Sequence, residues 1–282
     1  ELTHLVKEEF DPLLIRALLI HNAKYPANNS MSMTDKVTQM GFGAPSSVQE
    51  MLYNSEDEIT LILRDTLEKG SFIEMFDFPF PESLVDKDGN FVGQIIVTLV
   101  TKSLLDDKQA GEYCQSNIDI LFGTYETETD RDTSKKGIKN PKGLEEPQNI
   151  LLESLYSARV KGAHPFTGFE RECTLVKYGK KFHPVKKYAI DLSEMTTSNR
   201  QRYLRGDRKW YLKIEGLYRD FIEQDARARN YQLSQEYCLL LTIRDPNGKA
   251  PVYDEVAQQL DYKNFLHHNI QLRNVVTIDG TL

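Results

Sequence analysis

Apolar residues recur at helical spacing near the start of the chain, and from Ile59 onward their period falls to two. The segment Asp11 to Ala23 reads Asp-Pro-Leu-Leu-Ile-Arg-Ala-Leu-Leu-Ile-His-Asn-Ala. Asp11 is a good N-cap, and Pro12 stands at the first helical position, where its missing N–H costs nothing. Leu14, Ala17, Leu18 and His21 share one face, flanked by Ile15, Leu19 and Asn22. A helix apolar on most sides is a buried helix, and Pro26 is expected to end it. Upstream, Glu1 to Phe10 reads as the tail of another helix. Downstream, the polar Asn28 to Thr38 reads as a surface loop, and Gly41-Phe42-Gly43-Ala44-Pro45 as a turn. Ser46 is expected to cap a short helix, Ser47 to Leu52, with Gln49 or Glu50 near the capping-box position.

The strand pattern begins at Glu58 to Asp65, with Ile59, Leu61 and Leu63 on one face. Phe72 to Phe80 places Phe72, Glu74, Phe76, Phe78 and Phe80 at period two, and Pro79 and Pro81 end it. Asp88-Gly89-Asn90 is a turn signal. Phe91 to Thr101 is the strongest strand, dense in Ile and Val. In Glu112 to Tyr125, Ile118, Ile120 and Phe122 face one way. Thr124 to Gln148 is charged and rich in Lys, Gly and Pro, the composition of an exposed loop. Asn149 to Arg159 reads as a helix or a short strand. Strands resume at Glu172 to Tyr178 and Val185 to Leu192, with Gly179-Lys180 as the turn between them. Lys209 to Tyr218 sets Trp210, Leu212 and Ile214 against Tyr211 and Lys213. Gln235 to Ile243 reads as a core strand, Asp245-Pro246-Asn247-Gly248 as a turn, Tyr253 to Leu260 as helical turns, and Asn269 to Ile278 as the last strand.

Eight or more strands separated by turns predict a mostly β fold with a short helical N-terminal segment: an antiparallel, jelly-roll-like β-sandwich. Two regions are expected, 1–57 helical and 58–282 the sandwich, with a flexible excursion near 124–148. The formal net charge is −7 with both signs interspersed, which argues against a nucleic-acid surface. The most apolar stretch, Leu13 to Ile20, is far shorter than a membrane span. No secretory signal is visible, and the cytoplasm is the favoured compartment. Cys114, Cys173 and Cys238 fit no metal spacing and are odd in number, so buried strand thiols are expected rather than a disulfide framework.

Asp11 to Ala23 followed by Gly41 to Pro45 resembles the part of bacterial subtilisin-like serine proteases (subtilases) that follows the nucleophilic serine. There a helix of the type D-x-x-x-I-R-A-L-L-I-x-x-A leads to a G-x-G-x-P turn. The later runs also resemble the jelly-roll-like domain appended to some of these enzymes. They are Pro-Phe-Pro-Glu-Ser-Leu, Gln-Ile-Ile-Val-Thr-Leu-Val, Glu-Tyr-Cys-Gln-Ser-Asn-Ile-Asp-Ile-Leu-Phe-Gly and Lys-Trp-Tyr-Leu-Lys. The resemblance implies a non-catalytic C-terminal portion of a serine endopeptidase. Residues 1–57 would be the end of the catalytic domain, and the sandwich would support the protease core or screen substrate. The implied partners are the chain's own N-terminal protease domain and a peptide or protein substrate, with neither nucleic acid nor membrane. Two other readings stand beside it, a stand-alone glycan- or protein-binding sandwich and a structural domain of an assembly.

The chemistry-bearing residues yield no catalytic, cofactor-binding or metal residue to name. Triad catalysis needs an activated serine, and neither Gly-Thr-Ser nor Gly-x-Ser-x-Gly occurs. His21 is expected to be a hydrogen-bonded core histidine. His164 and His183 precede prolines in loops. His267 and His268 are neighbours that a strand would turn to opposite faces. Asp86-Lys87-Asp88-Gly89-Asn90 has oxygen ligands that calcium favours but reads as a hairpin turn. Gly41-Phe42-Gly43 lacks the third glycine of a dinucleotide fingerprint. Arg200, Arg202, Arg205 and Arg208 form an anion-site candidate for which ion pairing is the plainer role. Tyr203, Trp210 and Tyr211 are candidate stacking residues, with Trp210 expected to pack inside the sandwich.

Overall fold

Strand β8 (Ser234–Arg244) shows how the fold is built. Its middle, Cys238-Leu239-Leu240-Leu241, is buried on both faces, so cover is needed on each side of the sheet that holds it. The computed structural model describes residues 11–25, 31, 33–52, 54–108, 113–126, 147–156, 184–262 and 270–272. Within them the helices are α1 (Pro12–His21), α2 (Met33–Met40), α3 (Val48–Leu52), α4 (Thr197–Tyr203), α5 (Asp220–Arg229) and α6 (Val252–Tyr262). The other strands are β1 (Glu58–Glu68), β2 (Phe72–Phe78), β3 (Gln94–Thr101), β4 (Ser116–Tyr125), β5 (Gln148–Asn149), β6 (Val185–Asp191), β7 (Lys209–Tyr218) and β9 (Ile270–Leu272).

The strands form two antiparallel sheets, ordered β6-β3-β8-β1-β9 and β2-β7-β4-β5. Among the described strands six of the eight successive pairs lie in opposite sheets, all but β4–β5 and β8–β9, the crossing habit of a jelly-roll-like sandwich. Ile59, Leu61, Ile95, Val97, Leu239 and Leu241 face Ile118, Phe122, Leu212 and Ile214 in one core. Buried Lys186, 1% exposed, spans the gap between the sheets; its Nζ donates to the Ile118 carbonyl at 2.9 Å and to Asp119 at 3.0 Å. The mostly β, antiparallel sandwich expected from the periodicity is the architecture observed.

The outer face of the first sheet is covered by α1. Leu14, Ala17 and Leu18 pack on Ile62, Val100, Val185, Cys238 and Leu240. Asp11 caps the helix, its Oδ1 accepting from the Leu13 and Leu14 N–H groups, while its Oδ2 takes Arg64 of β1 at 2.9 Å. At the other end His21, 4% exposed, bonds Thr98 through Nδ1 at 2.9 Å and Thr242 through Nε2 at 2.7 Å. Thr242 in turn bonds Thr60 at 2.7 Å, so a ladder of threonines crosses β3, β8 and β1 beneath the ring. Lys187 donates to the Ala23 carbonyl at 2.7 Å, just beyond the helix end. Neighbouring Lys186 and Lys187 thus serve opposite faces of one strand.

Several local expectations are corrected. Helix α1 stops at His21, well before Pro26, because Asn22 caps it: both its backbone N–H and its Nδ2 reach the Leu18 carbonyl. The surface loop expected over Asn28 to Thr38 contains the start of α2, whose Met33, Val37 and Met40 recur at helical spacing. Ser47, not Ser46, caps α3 by accepting from the Glu50 N–H, whereas Ser46 donates to the Asn22 carbonyl. Between the strands Lys209 to Tyr218 and Gln235 to Ile243, where the apolar pattern predicts no element, lies α5. Cys238 is buried in β8 as expected, but Cys114 is half-buried and lies before β4. The turn at Gly41 to Pro45 brings the chain back against the end of α1, with Lys24 and Ala44 paired. Gly43 has φ +94°, and a Cβ there would stand 2.5 Å from the Lys24 carbonyl oxygen. The expectations for Glu1 to Phe10, most of 124–148, the Glu172 to Tyr178 strand with its turn, His164, His183, His267, His268 and Cys173 lie outside the described residues.

The seating of α1 has a measurable consequence. Leu18→Ala is expected to lower the unfolding free energy of this chain by about 2–5 kcal/mol, through lost transfer energy and a residual cavity. Urea melts of the two proteins test this, and a negligible loss would mean that the helix is not seated on the sheet.

Candidate functional site

A single irregularity in β2 shapes the site. The expected face of Phe72, Glu74, Phe76, Phe78 and Phe80 does not hold together: Phe72 is 53% exposed, while Met75 and Phe78 are buried. The register against β7 shifts between Phe76 and Phe78. Asp77, the residue at the shift, has φ +53°, a left-handed conformation that few non-glycine residues adopt. The bulge turns Phe78 and Phe80 into the core and leaves Asp77 at a rim.

Trp210 of β7 fills the space behind that bulge. Its ring stacks on Phe80 at 4.0 Å between centroids and on Phe122 at 5.1 Å, and meets Phe91 edge-on. Gln259 of α6 holds Phe80 in place by accepting from its N–H at 3.2 Å and donating to its carbonyl at 3.0 Å. This cluster closes one end of the sandwich, and a groove of about 1240 Å³ opens above it.

One wall is the turn over Asp86 to Asn90, strapped to the segment following α4. The Phe91 N–H donates to the Leu204 carbonyl at 2.6 Å, and the Gly206 N–H to that of Gly89 at 2.8 Å. The oxygens of Asp86 are engaged by its own turn and by α4: Oδ1 accepts from the Asp88 and Asn90 N–H groups, and Oδ2 takes Arg200 at 2.5 Å. The turn reading of this segment therefore accounts for its carboxylate. Among the described residues no group of three or more His, Cys, Asp or Glu is placed to hold a metal ion.

The arginine cluster is ion-paired, as the plainer reading expected. Arg208 is buried; it donates to Thr124 Oγ1 at 2.9 Å, to the Thr124 carbonyl at 3.3 Å and to Glu126 at 2.8 Å. Arg205 forks onto Asp207 with two bonds of 3.0 Å and also lies 3.3 Å from Glu126. Lys209 pairs with Asp77 at 3.4 Å. Arg202 instead lies over the ring of Tyr203. The groove lining thus carries nearly balanced charge.

Of the candidate stacking residues, Trp210 packs inside the sandwich and Tyr211 is buried. Tyr211 donates to Glu74 at 2.6 Å. Burial, that bond and the neighbouring carboxylates hold its hydroxyl well above the ordinary tyrosine range, so it remains a proton donor. His21 bonds threonine hydroxyls in the core and is no general base for a reaction in the groove. The arginines were visible in the sequence as a cluster. Asp77, Glu126 and Gln259 were not, because the bulge and the chain reversals that bring them together leave no local pattern.

Replacing Arg208 by Met keeps the length of the side chain and removes its charge. The change is expected to cost about 2–4 kcal/mol, at or below what breaking a buried pair usually costs because Glu126 retains Arg205. Thermal or urea unfolding of Arg208→Met measures the loss, and an unchanged midpoint would show that the pair is dispensable. No known family model matches this chain, and a search of curated proteins finds no significant relative.

Proposed function

We propose that this chain is the non-catalytic C-terminal portion of a subtilisin-like serine endopeptidase, whose sandwich supports the protease core and screens substrate. The observation that carries the reading is the two-faced character of α1. One face is sealed against the sandwich. The other presents Ile15 and Leu19 at i, i+4 spacing, with Leu19 37% exposed. A helix apolar on both sides suits a joint between two bodies. The order of segments supports the same reading, since the helix and the Gly-Phe-Gly turn that resemble the end of a subtilase catalytic domain precede β1, with only the short α3 between.

A second reading is a stand-alone β-sandwich that binds protein or glycan. It is favoured by the groove over Trp210 and by the seating of α1, which makes the helix part of the sandwich as well as a joint. In either reading this chain supplies binding and support rather than bond cleavage.

Serine-directed fluorophosphonate labelling of the chain is expected to be null, and the reading frame upstream of Glu1 to encode a Gly-Thr-Ser motif within some tens of residues. Stoichiometric labelling at a serine of this chain would overturn the non-catalytic assignment. An ordinary signal peptide directly upstream would overturn the protease assignment and leave the binding module.

A further inference from the structure

Strand β8 runs into the turn Asp245-Pro246-Asn247-Gly248, and the carboxylate of Asp245 holds that turn from inside. Asp245 is 6% exposed. Its Oδ1 accepts from the Asn247 N–H at 2.9 Å and from Asn247 Nδ2 at 3.2 Å, and its Oδ2 from the Lys249 and Ala250 N–H groups at 2.9 and 3.0 Å. Burial opposes its charge, yet these bonds hold its carboxyl below the usual carboxylate range. The Gly248 N–H is engaged as well, by the Asp245 carbonyl at 3.2 Å. Asn247 and Gly248 themselves are exposed, and they form the sole Asn-Gly pair of the chain.

We infer that Asn247 is a modification site at which the side-chain amide is lost as ammonia, and that Asp245 latches it in the folded chain. In an Asn-Gly pair no side chain shields the backbone nitrogen after the asparagine, and the glycine lets the chain reach the geometry of ring closure. Gly248 N gives up its proton and attacks Asn247 Cγ; the N–Cγ bond forms, the Cγ–Nδ2 bond breaks and ammonia leaves. Water then opens the succinimide ring at Cγ, giving aspartate, or at the main-chain carbonyl carbon, giving isoaspartate. The folded turn opposes the first step twice. The attacking nitrogen donates its proton to the Asp245 carbonyl, and the amide under attack is drawn back onto Asp245 Oδ1. Either product harms the latch. Aspartate replaces a donor by a second carboxylate beside Asp245, a like-charge contact that opposes ionisation of both. Isoaspartate adds a methylene to the main chain inside the turn. The turn leads into α6, whose Val252, Val256 and Leu260 are core residues and whose Gln259 holds Phe80. Modification thus adds negative charge and loosens the closed end of the groove.

The whole chain is incubated at mildly alkaline pH, folded or unfolded in guanidinium chloride, and deamidation at Asn247 is followed by peptide mapping with mass spectrometry. The folded chain is expected to react at least about tenfold more slowly than the unfolded one, because the turn must open first. Asp245→Ala removes the latch and is expected to bring the folded rate up toward the unfolded one. Asn247→Asp installs one product directly and is expected to lower the urea midpoint of the whole chain. Equal rates in the folded and unfolded wild type would overturn the latch, and that comparison needs no variant to fold. A folded Asp245→Ala chain that reacts no faster than the wild type would overturn it too. Retention of the Asn247 amide even in the unfolded chain would overturn the site. An unchanged midpoint in Asn247→Asp would overturn the loosening.

Discussion

The structure depends on a sheet that has no solvent face along its centre. β3, β8 and β1 bury residues on both sides, so the second sheet and helix α1 are both required as covers. The apolar contact of Leu14, Ala17 and Leu18 supplies most of the driving force on the helical side, at roughly 1.5–3 kcal/mol for a fully buried large aliphatic side chain. Polar groups then fix where the helix sits. His21 is confined between Thr98 and Thr242, with both ring nitrogens bonded. Asp11 and Arg64 tie the opposite end to β1. A helix held at both ends by specific bonds has one register, which hydrophobic contact alone would not impose.

The same crossing habit that builds the core also builds the groove. Chain segments that leave one sheet for the other must pass over the ends of the sandwich, and the β2–β3 and β6–β7 passages meet above Trp210. Their backbones are bonded to each other through Leu204 to Gly206, so the groove walls are rigid parts of the fold. The bulge at Asp77 contributes at the same place, by giving up one turn of ladder regularity to aim two phenylalanines inward. Strain of this kind persists where the surroundings over-determine it, and here the stacked rings of Phe80 and Trp210 do so.

Much of this was legible in the sequence. Alternating apolar residues located β1, β4 and β7, and continuous apolar runs located β3 and β8, since each has a face on the sandwich core. The face Leu14, Ala17, Leu18 and His21 is the face that α1 buries. The cover of that face was not legible, because nothing in Ile62, Val100 or Leu240 says which neighbour they meet. Leu239-Leu240-Leu241 was the available signal: three consecutive leucines in a strand indicate a sheet covered twice. In β2 simple alternation failed because one left-handed residue, Asp77, resets the count. Helix α5 has little apolar signal because its polar sequence Asp-Phe-Ile-Glu-Gln-Asp-Ala-Arg-Ala-Arg buries only Ala226. The groove depends on tertiary juxtaposition of Arg200, Trp210 and Gln259, residues far apart along the chain.

The central claim is that α1 is an integral cover of the sandwich. Native-state hydrogen exchange on the chain tests it most directly. The amides of Ala17, Leu18 and His21 are expected to exchange with the slow core of β8, in one cooperative unit with Leu239 to Leu241. Exchange of these helix amides at rates near those of an unstructured peptide, while β8 stays protected, would contradict the account.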